Sequence, residues 1–363
     1  MSWLFPLVAR LWFGAIDKSA SSNESSWPDY LKLAILIPAH NEEINLERTL
    51  LNIAVAVDRL QLQRGSAQIQ VTVRVGADGC TDQTVAVARR NGAVVLELQP
   101  NRGKWGTLRA LLDQSGDADW VALADCGVTW PADLLARLMP NCARTEIMAV
   151  APGYAATDGS WLERAAWGVD RPFKRIEAEL GGPVSIHGAT IFYRRAELVA
   201  VMEGLGADGW LNDDVVIPLM LRARFPEKRI RYLASLGVSD RLLTPVEAPL
   251  AKREFGRRRR LVIGNLQWIR SLLPEVWSRN SLAGILALRR VFRVLWAYWG
   301  ICLAIGASLI LGGDSFVLLG LTLVLIGAGT LALAQVRASL LAPYYLFAFG
   351  NAVAAGAKKV EWR

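Results

Sequence analysis

From residue 31 to about residue 240, short apolar runs alternate with longer amphipathic stretches. Residues 33–37, 71–75, 93–98 and 120–124 are apolar runs of strand length. Between them, residues 43–57, 83–91 and 104–114 repeat apolar side chains at helical spacing. Strands alternating with helices predict an α/β fold, a mostly parallel sheet with flanking helices. In such a sheet the carboxyl ends of the strands share one edge, and ligands bind just beyond them. The polar segments 38–43, 76–82, 99–104 and 125–129 each follow a strand, so they are expected to converge on that edge.

The two ends of the chain follow a different pattern. Residues 1–16 are apolar but few, they include Arg10, and no small-residue cleavage pattern follows. A helix lying in a membrane interface is expected there, not a signal peptide or a span. Residues 17–29 are rich in Ser and Asn and read as a linker. Residues 252–290 are basic with helical spacing, and uncharged stretches follow at 294–313, 315–336 and 338–357. At ~1.5 Å per residue, each stretch is long enough for a hydrocarbon core of ~30 Å. Arg289, Arg290 and Arg293 precede the first and Arg337 follows the second, which puts the globular part on the cytoplasmic side. The third contains Pro343, Gly350, Asn351 and Gly356, and crossing would leave Lys358, Lys359 and Arg363 outside. A re-entrant or interfacial segment is therefore favoured over a third span. The expected organisation is an interfacial helix and linker (1–29), an α/β domain (30–245), basic amphipathic helices (246–290) and a C-terminal membrane region (291–363) with transmembrane and interfacial helices.

Composition narrows the function classes. Hydrophobic residues make up 53% of the 363 positions, too many for a disordered chain, and the excess sits in the tail. The net charge of +8 suits a nucleic-acid partner on its own, but the basic residues bunch just before the apolar tail, where anionic headgroups account for them equally well. No nucleic-acid partner is expected. Cys80, Cys126, Cys142 and Cys302 fall at unrelated spacings, which excludes a disulfide framework or a CxxC zinc site. His40 and His187 are the only histidines, and two isolated ones make no metal site.

Several polar residues could carry chemistry. The loop Gly76-Ala-Asp-Gly-Cys-Thr-Asp82 leaves a strand and opens a helix. Its small residues admit a planar ligand, and Asp78 can accept hydrogen bonds from a base or ribose; a plain strand–helix loop with capping residues is the alternative. Lys104 sits at a helix start, where a cation opposes the helix dipole, so either an anionic partner or a solvated surface position is implied. Asp125 ends the strand WVALA and either binds a metal or substrate or caps its loop. Asp213 and Asp214 precede an apolar helix, either as N-terminal caps or as a pair in which crowding raises one carboxyl toward the range of a general base. The run from Arg257 to Arg260 suits headgroup binding or a clamp on a diphosphate.

Taken in order, these segments resemble the membrane-bound glycosyltransferases of family 2, which have the GT-A fold, over residues 31–270. Ile35-Leu-Ile-Pro-Ala-His-Asn-Glu-Glu43 resembles the family's opening strand and loop against the uridine, which implies nucleotide contacts at Pro38, Ala39, Asn41 and Glu42. Ala77-Asp-Gly-Cys-Thr-Asp82 resembles the loop whose Asp, here Asp78, holds the base or ribose. Asn101-Arg-Gly-Lys104 is similar to the N-x-GK turn, and Asp125-Cys-Gly127 stands where the family has its DxD metal motif. His187-Gly-Ala-Thr190 resembles the acceptor-side segment, implying roles for His187 and Gly188. Asp213-Asp214 is similar to the carboxylate pair whose second member is the catalytic base. Glu254 with Arg257 and Arg258 resembles the segment that contacts diphosphate and acceptor.

The resemblance implies an inverting transferase, with the Rossmann-like GT-A domain on the cytoplasmic face of a bacterial inner membrane. It would move a sugar from a nucleotide sugar, a UDP-sugar by family habit, to a lipid-linked sugar, glycolipid or exopolysaccharide. Asp214 would be the base, Asp213 its neighbour, and Mg²⁺ or Mn²⁺ on Asp125 the cofactor. The sequence departs from the family at Gly127, which replaces the second metal carboxylate, at Ala77 in the nucleotide loop, and at Arg258 in place of a Trp. The last departure favours single addition over polymerisation. The first supports an alternative, a catalytically impaired GT-A-like membrane component of a polysaccharide assembly complex.

Overall fold

A computed structural model describes residues 4–13, 27–65, 67–154, 172–207, 209–240, 250–294 and 306. Trp3–Pro245 with Glu275–Ala287 form one compact unit, and Val246–Pro274 with Leu288–Val360 form another.

The first unit is built on a sheet whose centre is the most apolar run of the sequence. Strand β1 (Tyr30–Ala39) is flanked by β2 (Gln68–Asp78) and β4 (Trp120–Ala124), with β3 (Val94–Leu98) outside β2, and all four run parallel. β1 and β4 are buried on both faces, which explains their continuous apolar sequences. Alternate β1 residues Leu33, Ile35 and Ile37 enter one core with Leu46, Leu50, Ile53 and Leu60 of α2 (Glu43–Gln63). Those α2 positions recur at helical spacing, so one stripe of the helix meets one face of the strand. Ile53 is almost wholly buried, and truncation to Ala removes about 2–5 kcal/mol. Helix α3 (Thr84–Arg90) follows β2, and α4 (Gly103–Asp113) follows β3.

The sheet is mostly parallel, as expected, but mixed: among the described residues two of its eight strands run against the other six. Its order is β3-β2-β1-β4-β7-β6-β8-β5. Strand β7 (Thr190–Arg194) runs antiparallel to both β4 and β6 (Ile147–Tyr154). Strand β8 (Arg229–Asp240) is parallel to β6, and the short β5 (Val128–Thr129) is antiparallel to β8. The reversal has a consequence for the binding edge. Thr190 pairs with Ala124, so the start of β7 meets the end of β4. The residues before β7 therefore arrive at the same rim as the loops after β1 to β4.

The remaining helices are α5 (Leu134–Cys142), a short α6 over 172–179, α7 (Arg195–Leu205) and α8 (Asp213–Arg224). The residues expected to form an N-terminal interfacial helix contain α1 (Leu4–Phe13), with Leu11 and Trp12 strongly exposed. The basic segment is helical, as α9 (Leu250–Ser271), α10 (Leu273–Arg279) and α11 (Ser281–Val294). Among the described residues no helix is long and apolar enough to cross a membrane. The stretches proposed as spans lie outside the described residues, apart from Val294 and Gly306, as does most of the proposed linker.

Candidate active site

The loop after β1 and the loop after β2 lock each other. Asp82 Oδ2 accepts from the Glu43 N–H at 3.2 Å, at the start of α2, while Glu43 Oε2 accepts from the Gln83 N–H at 2.9 Å, at the start of α3. Thr84 Oγ1 accepts from the Glu42 N–H at 2.8 Å, and Asn41 Oδ1 accepts from the Thr81 N–H at 2.8 Å. Neither N-cap residue caps its own helix: α2 borrows Asp82 from the neighbouring loop, and α3 adds the borrowed Glu43 to Asp82 Oδ1, which accepts from the Thr84 N–H at 2.9 Å. Asn41 adopts φ 54°, a left-handed turn that Asn tolerates, and its side chain reaches solvent. Pro38 and Ala39 are buried at the strand end, while Glu42 is half-buried. Burial raises the Glu42 carboxyl, Asn45 opposes that with a hydrogen bond, and Asp125 and Asp82 add to the rise.

Asp78 ends β2 with its side chain sealed from solvent. Its oxygens accept from the N–H groups of Arg102 at 2.7 Å and Gly103 at 2.8 Å, the first turn of α4. A carboxylate at a helix N-terminus satisfies orphan donors and complements the dipole. This is the capping role, supplied from another loop. The Asp78 carbonyl accepts from Asn101 Nδ2 at 3.0 Å, joining the next loop to the same knot.

The ion-paired centre lies at the other side of β1. Lys104 Nζ is 2.8 Å from Asp125 Oδ1 and 3.2 Å from Asp213 Oδ1. Of the two readings open for Lys104, an anionic partner is the one present, twice, within the chain. Burial lowers the Lys104 ammonium, but the Asp125 and Asp213 charges outweigh it and hold the group above its ordinary value. Burial raises the Asp125 carboxyl; Lys104 pulls it down, and Asp213 and Asp214 push it up, with the rise prevailing. The Asp125 side chain is 41% exposed, against 21% for Lys104 and 11% for Asp213, so Asp125 forms the open lip of the cluster.

Asp213 and Asp214 occupy the first turn of α8, and Asp214 is half-buried. The Asp214 carbonyl accepts from the Ile186 N–H at 2.9 Å, which ties α8 to the segment before β7. A Cβ on Gly188 would stand 3.3 Å from the Asp214 Cβ, so this segment lies directly against the proposed base. The Asp125 N–H donates to the Ala189 carbonyl at 3.1 Å. Asp125, Lys104, Asp213, Asp214 and Gly188 therefore meet at one rim, and the half-buried His187 sits beside them in sequence.

Sequence reasoning missed Arg222, which is buried near the far end of α8 and donates to the carbonyls of Gly182 and of Leu180, the latter at 2.9 Å. Burial lowers its guanidinium to about 10. An Arg within the apolar run VVIPLMLRAR was the available signal. Tyr193 was also missed; burial, then Asp213 and Asp214, raise its hydroxyl, which has no hydrogen bond among the described residues. Arg257 and Arg258 lie in α9, which belongs to the other unit, and their side chains are outside the description.

The metal motif offers little to a divalent ion. Asp125 supplies one carboxylate, already paired with Lys104. Burial raises the Cys126 thiol well above its ordinary value, which keeps it protonated, and Cys126 Sγ faces the Pro38 carbonyl. Gly127 has no side chain, its N–H donates to Thr49 Oγ1 at 2.8 Å, and its carbonyl accepts from Arg48 at 3.2 Å. Its φ of 86° disfavours the replacement of Gly by Asp. Among the described residues no group of three His, Cys, Asp or Glu could hold a metal ion. The donor set does not fit the Mg²⁺ or Mn²⁺ expected on Asp125.

Parallel strands whose ends carry these loops, joined through one reversed strand to a second half-sheet, make a GT-A-like α/β fold. The chain is similar to the mannosyltransferase PcManGT from Pyrobaculum calidifontis, solved in complex with GDP-Man and Mn²⁺. The TM-score is 0.65 at 18% identity, covering 97% of this chain and 94% of that one. Glucosyl-3-phosphoglycerate synthase from Mycobacterium tuberculosis, solved with Mn²⁺, UDP-glucose and phosphoglyceric acid, is similar over 69% of this chain and 79% of that one, with 19% identity and a TM-score of 0.43. At these identities the likeness is one of fold. No family model and no curated protein matches the sequence.

Proposed function

We propose that the protein is an inverting glycosyltransferase that moves a sugar from a nucleotide diphosphate donor to a membrane-associated acceptor, a lipid-linked sugar, glycolipid or growing glycan. The observation that carries this reading is the meeting of Asp214, Lys104 and the Gly188 segment at one rim. Asp214, open enough to meet an acceptor hydroxyl, takes its proton. The acceptor oxygen bonds to C1 of the sugar as the bond from C1 to the diphosphate oxygen breaks, and its electron pair leaves with the diphosphate. In-line attack inverts C1. Asp78 orders the nucleotide loop from within, and the exposed Asn41 with Glu42 faces the base and ribose. The basic segment with Arg257 and Arg258 supports an acceptor approaching from a bilayer, with the domain on the cytoplasmic side of a bacterial inner membrane.

Membranes containing the full chain, wild type or Asp214→Asn, incubated with UDP- and GDP-sugars test this. GDP-mannose joins the panel because PcManGT was solved with it. Asp214→Asn should lower transfer about 10³-fold while nucleotide affinity stays within about twofold. Full activity of that variant removes the assigned base. Gly127 favours a second reading, a turnover-impaired component of a polysaccharide assembly complex. That reading gains if UDP binds and no donor is consumed.

A further inference from the structure

The motif that should hold a metal is occupied by a cation of the chain's own. Lys104 Nζ stands between Asp125 and Asp213, at the end of β4 and the first turn of α8. Asp125 is the only side-chain oxygen that the Asp125-Cys126-Gly127 turn can offer. The Gly127 turn is fastened to α2 through Thr49 and Arg48, so its backbone is committed to packing. A dication on Asp125 would have to share its carboxylate with an ammonium that already lies 2.8 Å from Oδ1, and two cations on one carboxylate repel each other.

We infer that Lys104 takes the place of the divalent ion: the ammonium, oriented by Asp125 and Asp213, binds the donor diphosphate and stabilises it as it leaves, and the reaction proceeds without a metal. This rests on the transferase reading above. Lys104 lies on the second residue of α4, whose N-terminus Asp78 fixes through two backbone bonds. The cation is thus held on a rigid element, which is what electrostatic stabilisation of a leaving group requires. On this account Asp125 is a positioning residue and not a metal ligand. A single mobile proton on the acceptor goes to Asp214, and the diphosphate leaves as an anion paired with Lys104, so no further co-reactant is needed.

Calorimetry of UDP and GDP against the full-length protein, in EDTA or in excess Mn²⁺, tests this alongside donor turnover in the same two conditions. Affinity should change by less than about threefold on adding Mn²⁺, and turnover in EDTA should stay above about half. Lys104→Met should weaken diphosphate binding by about tenfold or more in both conditions, and Lys104→Arg should recover most of it. Asp125→Asn should leave binding insensitive to EDTA. The inference is overturned if binding or turnover rises about tenfold with Mn²⁺ in the wild type, if Mn²⁺ restores Lys104→Met, or if Lys104→Met binds as the wild type does. Diphosphate binding only with Mn²⁺ defeats this inference alone. Absence of binding in both conditions defeats it together with the nucleotide-sugar reading.

Discussion

Asp78 and Asp125 stand at the ends of the two strands that flank β1, one on each side, yet the chain uses them in opposite ways. Asp78 is sealed and spends its oxygens on the backbone of α4. Asp125 is 41% exposed and answers to a side chain, Lys104. The difference follows from what lies above each strand end. Beyond β2 the loop that follows the neighbouring β3 folds over the carboxylate, bringing two N–H groups with it. Beyond β4 the next residues turn away toward α2, because Gly127 adopts a left-handed φ, and the carboxylate is left facing outward. A motif-bearing Asp at a strand end is therefore a sealed scaffold or an open ion-pair partner according to whether a neighbouring strand's loop covers it.

Unfolding measurements on variants of the two residues would break this contrast most directly. Asp78→Ala should cost about 2–4 kcal/mol, because it strips a buried helix start of charge-assisted acceptors. Asp125→Ala should cost less than about 1 kcal/mol, since its pair is half open to water and Lys104 keeps Asp213. Equal losses would end the distinction. An effect between those two is expected at Gly127→Asp, where left-handed backbone strain should cost about 1–2 kcal/mol in the same assay. A neutral outcome there would show that the turn accepts a second carboxylate.

The smallest effect is a pH dependence. The folded protein raises the Asp125 carboxyl above 3.8, so its contribution to stability is full below that value and is lost as pH rises through the raised one. The unfolding midpoint of the wild type relative to Asp125→Asn should therefore fall as pH increases from the acid range upward. Lys104 moves the other boundary: its contribution persists until pH exceeds 10.5 and is lost above. A flat difference between wild type and variant across the acid range would sharpen the contrast away from electrostatics and toward packing.

Much of the sheet was legible because burial on both faces leaves an apolar run. Residues 120–124 match β4, while β1 and β2 extend past their apolar cores at both ends, since backbone pairing continues where side chains turn polar. The reversal of β7 left no trace in periodicity. The family resemblance marked Gly188 and Asp214 separately, and their placement side by side came only with the reversed strand. The role of Asp78 was hidden for a different reason: its partners lie 24 and 25 residues away, beyond the reach of local capping rules. Lys104 was the most informative misfit in the sequence, a cation where a helix dipole disfavours one, and its partners are indeed carboxylates.

The mutual capping of α2 and α3 bears on how such a protein can be re-engineered. Because Asp82 serves the helix after β1 and Glu43 serves the helix after β2, the two loops form an inseparable pair. Grafting either loop alone from another protein of this fold would strip a helix start of its partner, whereas a chimera that exchanges both carries its own matched set. Swaps at this rim should therefore be made in tandem.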